Sequence, residues 1–354
     1  MSLANPLLVV APADGTGGVG DYSSWLIDEL AARGPVDTLR TAGPFGDSLV
    51  EVITLCRDVR RWAKARPGGG VHFELSAGCV GPFWALACLP RGMRATATVH
   101  DPPRGAWWPW GFRGPFGKFF LRHLIHYPLR RLIAKLEYRI LAKARIAVMS
   151  PAAATVMRQQ EVNCFVIPHA VRRDDCALEF RPTDTGQLAV GLFGHVYPGK
   201  GFELLGAIRT LLPDDIPIRV AGRGTQDLPP VANVEYLGPI SGKDEVAFWE
   251  SLGVVLLPYR KVGPYGEMLS SSGVLAKAFQ FRVPAVVLVN RAFEVEASLG
   301  AVCMVDNVGL AVRACTEIMK DHDLRSAMVQ SINALSRDRC PERILERYEA
   351  LLAG

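Results

Sequence analysis

Residues 190–201 read VGLFGHVYPGKG. An apolar run enters Gly194, a short loop carries His195, and the loop closes on Lys200 and Gly201. This layout predicts a buried parallel strand whose carboxyl end presents a flexible loop and one fixed positive charge. In open α/β sheets ligands sit outside the carboxyl ends of the strands. A lysine between glycines that admit close backbone approach suits a phosphate. Further on, Ser270, Ser271, Ser272 and Gly273 open an apolar helix. Its free N–H groups and positive dipole end favour the same anion, so one phosphate held from two sides is the implied chemistry. The plainer alternative for Lys200 is a solvated turn. Against it stand three further strand ends with loop chemistry: Gly222, Arg223 and Gly224 after Ala221, the run VEYLG at 234–238, and LLPY ending on Tyr259.

The first half carries a second set. Residues 15–20 read GTGGVG, and Gly15, Gly17 and Gly20 fit a dinucleotide-binding pattern. The acid that pattern wants at the end of a second strand has only Asp37 as a match, reached without a clear strand. A ligand-lining loop containing Gly17 and Gly18, or a plain tight turn, are the other readings. TVHD at 98–101 ends a strand with His100 and Asp101, where a substrate-orienting imidazole belongs, although a lone histidine is more often structural. His169, in VIPHA, is placed similarly. Eight cysteines are scattered without Cys-x-x-Cys pairs or metal spacing, which predicts buried thiols in a reducing compartment and no metal site.

The elements that position these residues alternate. Strands are predicted at 7–11, 71–75, 94–99, 146–149 and 165–167, with helices at 23–34, 82–89 and 151–160. After a polar, aperiodic linker at 171–187, strands follow at 188–193, 217–221, 234–237, 254–257 and 284–289, with helices at 202–212, 243–251 and 272–282. Such alternation means βαβ units and parallel sheets, hence an α/β fold of two doubly wound domains facing a cleft. The expected division is 1–172, 188–335, and a last helix at 336–354 reaching back to the first domain. At 354 residues, 49% hydrophobic and 21% charged, the chain is long enough for two cores and is not disordered. It shows neither a signal peptide nor an apolar run long enough to span a bilayer, so a cytoplasmic location is expected.

Residues 104–145 stand apart. They hold ten Lys or Arg, one acid (Glu137), three Trp, four Phe and two Tyr, against a net charge of +5 for the whole chain. Basic side chains interleaved with aromatics suit the interface of an anionic membrane, which makes the expected location peripheral at an inner membrane face. Single-stranded nucleic acid is the competing partner and is not preferred. For the helix from Leu129 onward, the preferred reading is an apolar face packed on the first domain with the basic face solvated. The aromatic loop before it is the expected membrane element.

GHVYPGKG, AGRG, NVEYLG, LLPY and SSSGVLAKAFQFRVPAVV occur in this order, with GGVGDYS, TVHD, VMSPAA and VIPHAV in the first half. The ordered set resembles the retaining glycosyltransferases of family 4, over nearly the whole chain. The resemblance implies the GT-B fold, with an acceptor-binding first domain and a second domain that binds a nucleotide-diphospho-sugar. It implies transfer with retention to a glycan or lipid-linked acceptor, in cell-surface polysaccharide or glycolipid assembly. The donor would be a UDP- or GDP-sugar, with no cofactor and no metal. Lys200, His195 and His100 then become the catalytic candidates. Gly194, Gly222, Arg223, Tyr259, Glu267, Ser271, Ser272, Gly273 and Lys277 fall on the donor side, and Gly17, Gly18, Asp101 and His169 on the acceptor side. The chain departs from the family at three points. His195 stands where Arg is common. The family's two glutamates fall on Leu269 and Lys277, with Glu267 two residues from the first. Lysine at the second replaces the carboxylate that usually holds the ribose. A nucleotide-sugar 2-epimerase, a non-catalytic protein of the same fold and a nicotinamide enzyme remain as rival readings.

Overall fold

The computed structural model describes residues 5–44, 46–103, 105, 107, 119–172, 188–263 and 266–353, with the side chains of 119–126 outside that description. The aromatic loop at 108–118 and linker residues 173–187 lie outside the described residues. In chain order the elements are β1 (Leu7–Pro12), α1 (Gly18–Ala31), β2 (Val36–Thr41), α2 (Leu49–Ala65), β3 (Gly70–Leu75), α3 (Val80–Ala87), β4 (Arg94–Val99), α4 (Phe119–Leu141), β5 (Arg145–Val148), α5 (Pro151–Arg158) and β6 (Cys164–Val166). Then follow β7 (Ala189–Phe193), α6 (Leu205–Leu211), β8 (Ile218–Ala221), β9 (Val234–Gly238), α7 (Lys243–Glu250) and β10 (Leu252–Leu257). A two-residue hairpin pair comes next, β11 (Val262–Gly263) and β12 (Gly266–Glu267), and then α8 (Gly273–Gln280), β13 (Ala285–Leu288), α9 (Glu294–Ser298), β14 (Val302–Val305), α10 (Val308–Lys320), α11 (His322–Asp338) and α12 (Pro341–Ala353).

Contacts divide the chain into two units. One gathers Met1–Pro168, Leu269–Ser271 and Ile344–Gly354; the other gathers His169–Met268 and Ser272–Arg343. The first holds a six-stranded sheet ordered β2-β1-β3-β4-β5-β6, the second a six-stranded sheet ordered β14-β13-β10-β7-β8-β9. Within each sheet every pairing is parallel. Central strands of parallel sheets are covered on both faces, so they read as continuous apolar runs. LLVVAP in β1 and LGVVLL in β10 are such runs, buried at every position.

In each sheet the chain leaves a central strand in one direction and later resumes on its other side. The order therefore switches between β1 and β3 in the first unit and between β7 and β10 in the second. Ligands of open α/β sheets collect at such switch points, outside the strands' carboxyl ends.

The structure corrects several boundaries. Helix α1 begins at Gly18, ahead of the predicted start at 23, so Gly18 and Gly20 form its first turn instead of a loop. Gly17 is its N-cap at φ 140°, a conformation that favours glycine. Strand β2 exists where no clear strand was predicted. It is an edge strand, VDTLRT, with three exposed positions, so it lacks the apolar run that announces a buried one. Asp37 lies near the start of β2, paired in register with Leu8. It accepts a hydrogen bond from Trp62 Nε1 at 2.6 Å and pairs with Arg66 at 3.1 Å. It thus sits at the end of the sheet away from the glycine loop, which removes the dinucleotide reading of GTGGVG.

Candidate functional site

In the second unit, loops after β7, β8 and β10 are tied together by backbone. Gly194 N–H donates to Ala221 O at 3.0 Å, Val196 N–H to Arg223 O at 3.0 Å, and Arg260 N–H to Gly199 O at 2.9 Å. Close approach demands glycine at two points. A Cβ on Gly201 would collide with the carbonyl of Pro258, and one on Gly222 with the backbone of Gly194. Both residues also have positive φ, at 83° and 126°. The result holds Lys200 at the switch point beside β10. Its Nζ lies 3.9 Å from the ring centroid of Tyr259 and 5.4 Å from that of Tyr197. Burial works to lower the ammonium's pKa, but the Tyr259 and Tyr197 phenols outweigh it, so the net direction is up and Lys200 stays charged.

Tyr259 carries the link onward. Its hydroxyl hydrogen-bonds Ser272 Oγ at 3.1 Å, and that Oγ accepts from Leu275 N–H at 3.2 Å as the N-cap of α8. The structure therefore brings together Gly194, Lys200, Tyr259, Ser272 and Gly273, with Gly222 and Arg223 joined through backbone. His195 is half-buried in the same loop and Arg223 is exposed. Glu267 and Lys277 are engaged elsewhere. Glu267 pairs with Arg291 at 3.2 Å, and Lys277 with Glu245 of α7 at 2.9 Å. Ser271 groups with the first unit, and His169 is the first residue of the second.

In the first unit His100 follows β4 and is 5% exposed. Its Nε2 meets Glu74 Oε2 at 2.5 Å, while Glu74 Oε1 meets His72 Nε2 at 2.8 Å. Burial alone would raise the Glu74 carboxyl. Hydrogen bonds from His100 and His72 overcome it and hold the group at about 2. Thr96 Oγ1 reaches His72 Nδ1 at 2.8 Å. Tyr22 of α1 packs edge-on against the His100 ring, with centroids 5.2 Å apart. Its hydroxyl bonds that of Tyr348 in α12 at 2.8 Å, and Tyr348 also reaches Thr98 Oγ1 at 3.0 Å. Burial, and then the Glu74 charge, push the Tyr348 phenol well above its ordinary value.

Asp101 serves as a clamp. Oδ2 accepts from Ser76 Oγ at 2.9 Å and Ala77 N–H at 2.8 Å, and Oδ1 accepts from Ser270 Oγ at 2.9 Å. At the α1 start, Gly15 N–H donates to Asp21 Oδ1 at 3.1 Å, while Gly17 and Gly18 face open space.

Sequence reasoning passed over His72, Glu74, Tyr22 and Tyr348. The signal was available for the first two. In VHFEL, His72 and Glu74 stand two apart on one face of a buried parallel strand, where ionisable residues need partners. Tyr22 and Tyr348 are 326 residues apart and leave no local trace. Among the described residues no group of three His, Cys, Asp or Glu is placed to hold a metal, and the seven described cysteines are free thiols.

These sheets and loops define the GT-B fold, and solved glycosyltransferases share it. Sucrose-phosphate synthase (tll1590) from Thermosynechococcus elongatus is 16% identical with a TM-score of 0.68, covering 98% of each chain. Anabaena Alr3699/HepE, solved in complex with UDP and glucose, is 15% identical with a TM-score of 0.67 over 99% of each chain. The UDP-forming α,α-trehalose-phosphate synthase from Burkholderia vietnamiensis is 11% identical with a TM-score of 0.69, covering 99% of this chain and 97% of its own. No family model and no curated protein sequence matches the chain.

Proposed function

We propose that this protein is a retaining glycosyltransferase that moves a sugar from a UDP- or GDP-sugar to a glycan or lipid-linked acceptor, without a metal. The observation that carries the reading is the Lys200–Tyr259–Ser272 chain at the switch point of the second sheet. Cleavage between the anomeric carbon and a diphosphate develops negative charge on the leaving oxygen. Preorganised donors and cations stabilise such charge most effectively. Lys200 supplies the cation, and the N–H groups of Ser272 and Gly273 at the start of α8 supply donors and a positive dipole end. His195 adds a titratable group to the same loop, and His100 is the sugar or acceptor contact on the first unit. UDP and UDP-glucose bound to HepE support a nucleotide sugar as donor.

The test is calorimetric titration with UDP and with GDP, on the wild type and on Lys200→Ala. One nucleotide binds the wild type and is lost in the variant, and turnover falls by at least ~2.7 kcal/mol of transition-state stabilisation, the low end for removing one oxyanion donor. Binding of neither nucleotide to the wild type removes the donor reading and favours the non-catalytic rival, for which the engaged Lys277 and Glu267 are the best support.

The acceptor reading includes an anionic membrane surface, and the partner element is α4. The buried arc of this helix carries Ile133, Ala134, Tyr138, Ile140 and Leu141. Yet Leu129, Leu132 and Leu136, spaced three and four apart, are 45%, 69% and 41% exposed beside exposed Arg131, Lys135 and Arg139. The preferred expectation for this helix, an apolar face packed on the first domain and a basic face solvated, describes its buried arc and its exposed cations, and the three leucines lie beside them. Exposed leucines beside cations suit a headgroup boundary, with the cations matched to lipid phosphates.

A further inference from the structure

The polar chain buried in the first unit does more than satisfy its own hydrogen bonds. A carboxylate buried between two imidazoles is an acceptor only, so each imidazole nitrogen that meets it must carry the proton. Glu74 Oε2 meets His100 Nε2 and Glu74 Oε1 meets His72 Nε2, so one side chain fixes the proton of both rings. His72 completes the pattern. With Nε2 protonated, its Nδ1 is left to accept from Thr96 Oγ1 at 2.8 Å.

For His100 the consequence is directional. Nδ1 of its neutral ring is left with a lone pair, and that atom has no hydrogen-bond partner among the described residues. The residue keeps 5% of its surface exposed. The ring cannot turn freely to offer its other edge. Tyr22 stands edge-on to one side, and Tyr348 of α12 holds the Tyr22 hydroxyl from behind.

We propose that Glu74 is a positioning residue: it holds the proton of His100 on Nε2 so that Nδ1 faces outward as a hydrogen-bond acceptor for a substrate hydroxyl. The inference rests on the glycosyltransferase reading for what that substrate is, a sugar or a hydroxyl-bearing acceptor. It separates the roles of Lys200 and His100. Lys200 grips an anion, and His100 in its neutral form reads an O–H group. Tyr22 and Tyr348 are the second clamp on the same ring, which gives the C-terminal helix a part in the site.

The test combines histidine ¹⁵N NMR on the full chain with hydrolysis of UDP-glucose and GDP-glucose, for the wild type, Glu74→Gln and Glu74→Ala. The wild-type His100 ring is expected as the Nε2–H tautomer. Glu74→Gln keeps the volume but gives the site one donor and one acceptor, so one of the two rings must change tautomer. Glu74→Ala leaves both free to do so. Loss of one correctly oriented substrate hydrogen bond is expected to cost roughly 2–12-fold, in kcat and with nucleotide binding unchanged. Tyr348→Phe, a milder change, is expected to lower kcat in the same direction while leaving the tautomer in place. An unchanged His100 tautomer in both Glu74 variants overturns the proposal, as does a changed tautomer with unchanged turnover, which would make Glu74 structural alone. If neither nucleotide binds the wild type, the donor reading fails separately, and the tautomer comparison alone decides the positioning claim.

Discussion

Glu74 shows how a charge can be kept in a core. An ionised carboxylate in an apolar interior is costly unless it is paired and hydrogen-bonded. Two imidazole N–H groups meet that need and hold its pKa near 2, below the ordinary 4.5. The depressed folded-state value sets the sign of the pH dependence. The stability supplied by ionised Glu74 is complete above about 4.5 and is lost as pH falls from there towards about 2. The groups facing it are His72 from its own strand, His100 from the end of β4 and Tyr348 from α12. Wild type is therefore expected to lose stability across that window faster than Glu74→Gln, measured as urea midpoints at pH 6, 4.5 and 3.5. Equal losses in the two proteins would place the acid sensitivity elsewhere.

At the scale of elements, legibility followed burial. Central strands such as 94–99 were readable to the residue because both their faces are covered. Edge strand β2 was not, since half of it is exposed. Helix α2 went unread despite a complete capping box between Ser48 and Glu51 and a stripe at helical spacing, because further apolar residues on its other face blur the pattern. Val52, Leu55, Val59 and Trp62 are buried, yet Leu49, Val50 and Ile53 are exposed. In the second unit the phosphate-type chemistry was legible as strand-glycine-loop patterns. The engagement of Lys277 by Glu245 and of Glu267 by Arg291 was not, because partners on other elements leave no local pattern. Helix α4 carries the prediction at this scale. Leu129, Leu132 and Leu136 changed together to Ser should abolish co-sedimentation with vesicles containing phosphatidylserine at low salt, and leave binding of UDP or GDP untouched. Retained vesicle binding in the triple variant would remove α4 as the docking element.

At the scale of the molecule, the end of the chain belongs to the core formed at its start. From Ile344 onward α12 groups with the first sheet's unit, burying Ile344, Leu345, Tyr348 and Leu351 there. Its Glu349 pairs with Arg33 at 3.6 Å. Burying an aliphatic or aromatic side chain contributes ~1.5–3 kcal/mol. Four of them reach roughly 6–12 kcal/mol as an upper bound, comparable with the whole net stability of a domain at about 5–15 kcal/mol. The Tyr348 hydroxyl adds two buried hydrogen bonds, to Tyr22 and Thr98, each contributing about 0.5–1.5 kcal/mol net. A chain ending at Cys340 should therefore fail to hold its first unit together while the second survives, since α10 and α11 stay with the sheet they cover. Hydrogen exchange reads this directly. Amides of β3 and β4 should lose protection in the shortened chain, and those of β7 and β10 should keep it. Equal protection in all four strands would mean that the first sheet is stable without α12, and Tyr348 would then act on the His100 ring alone.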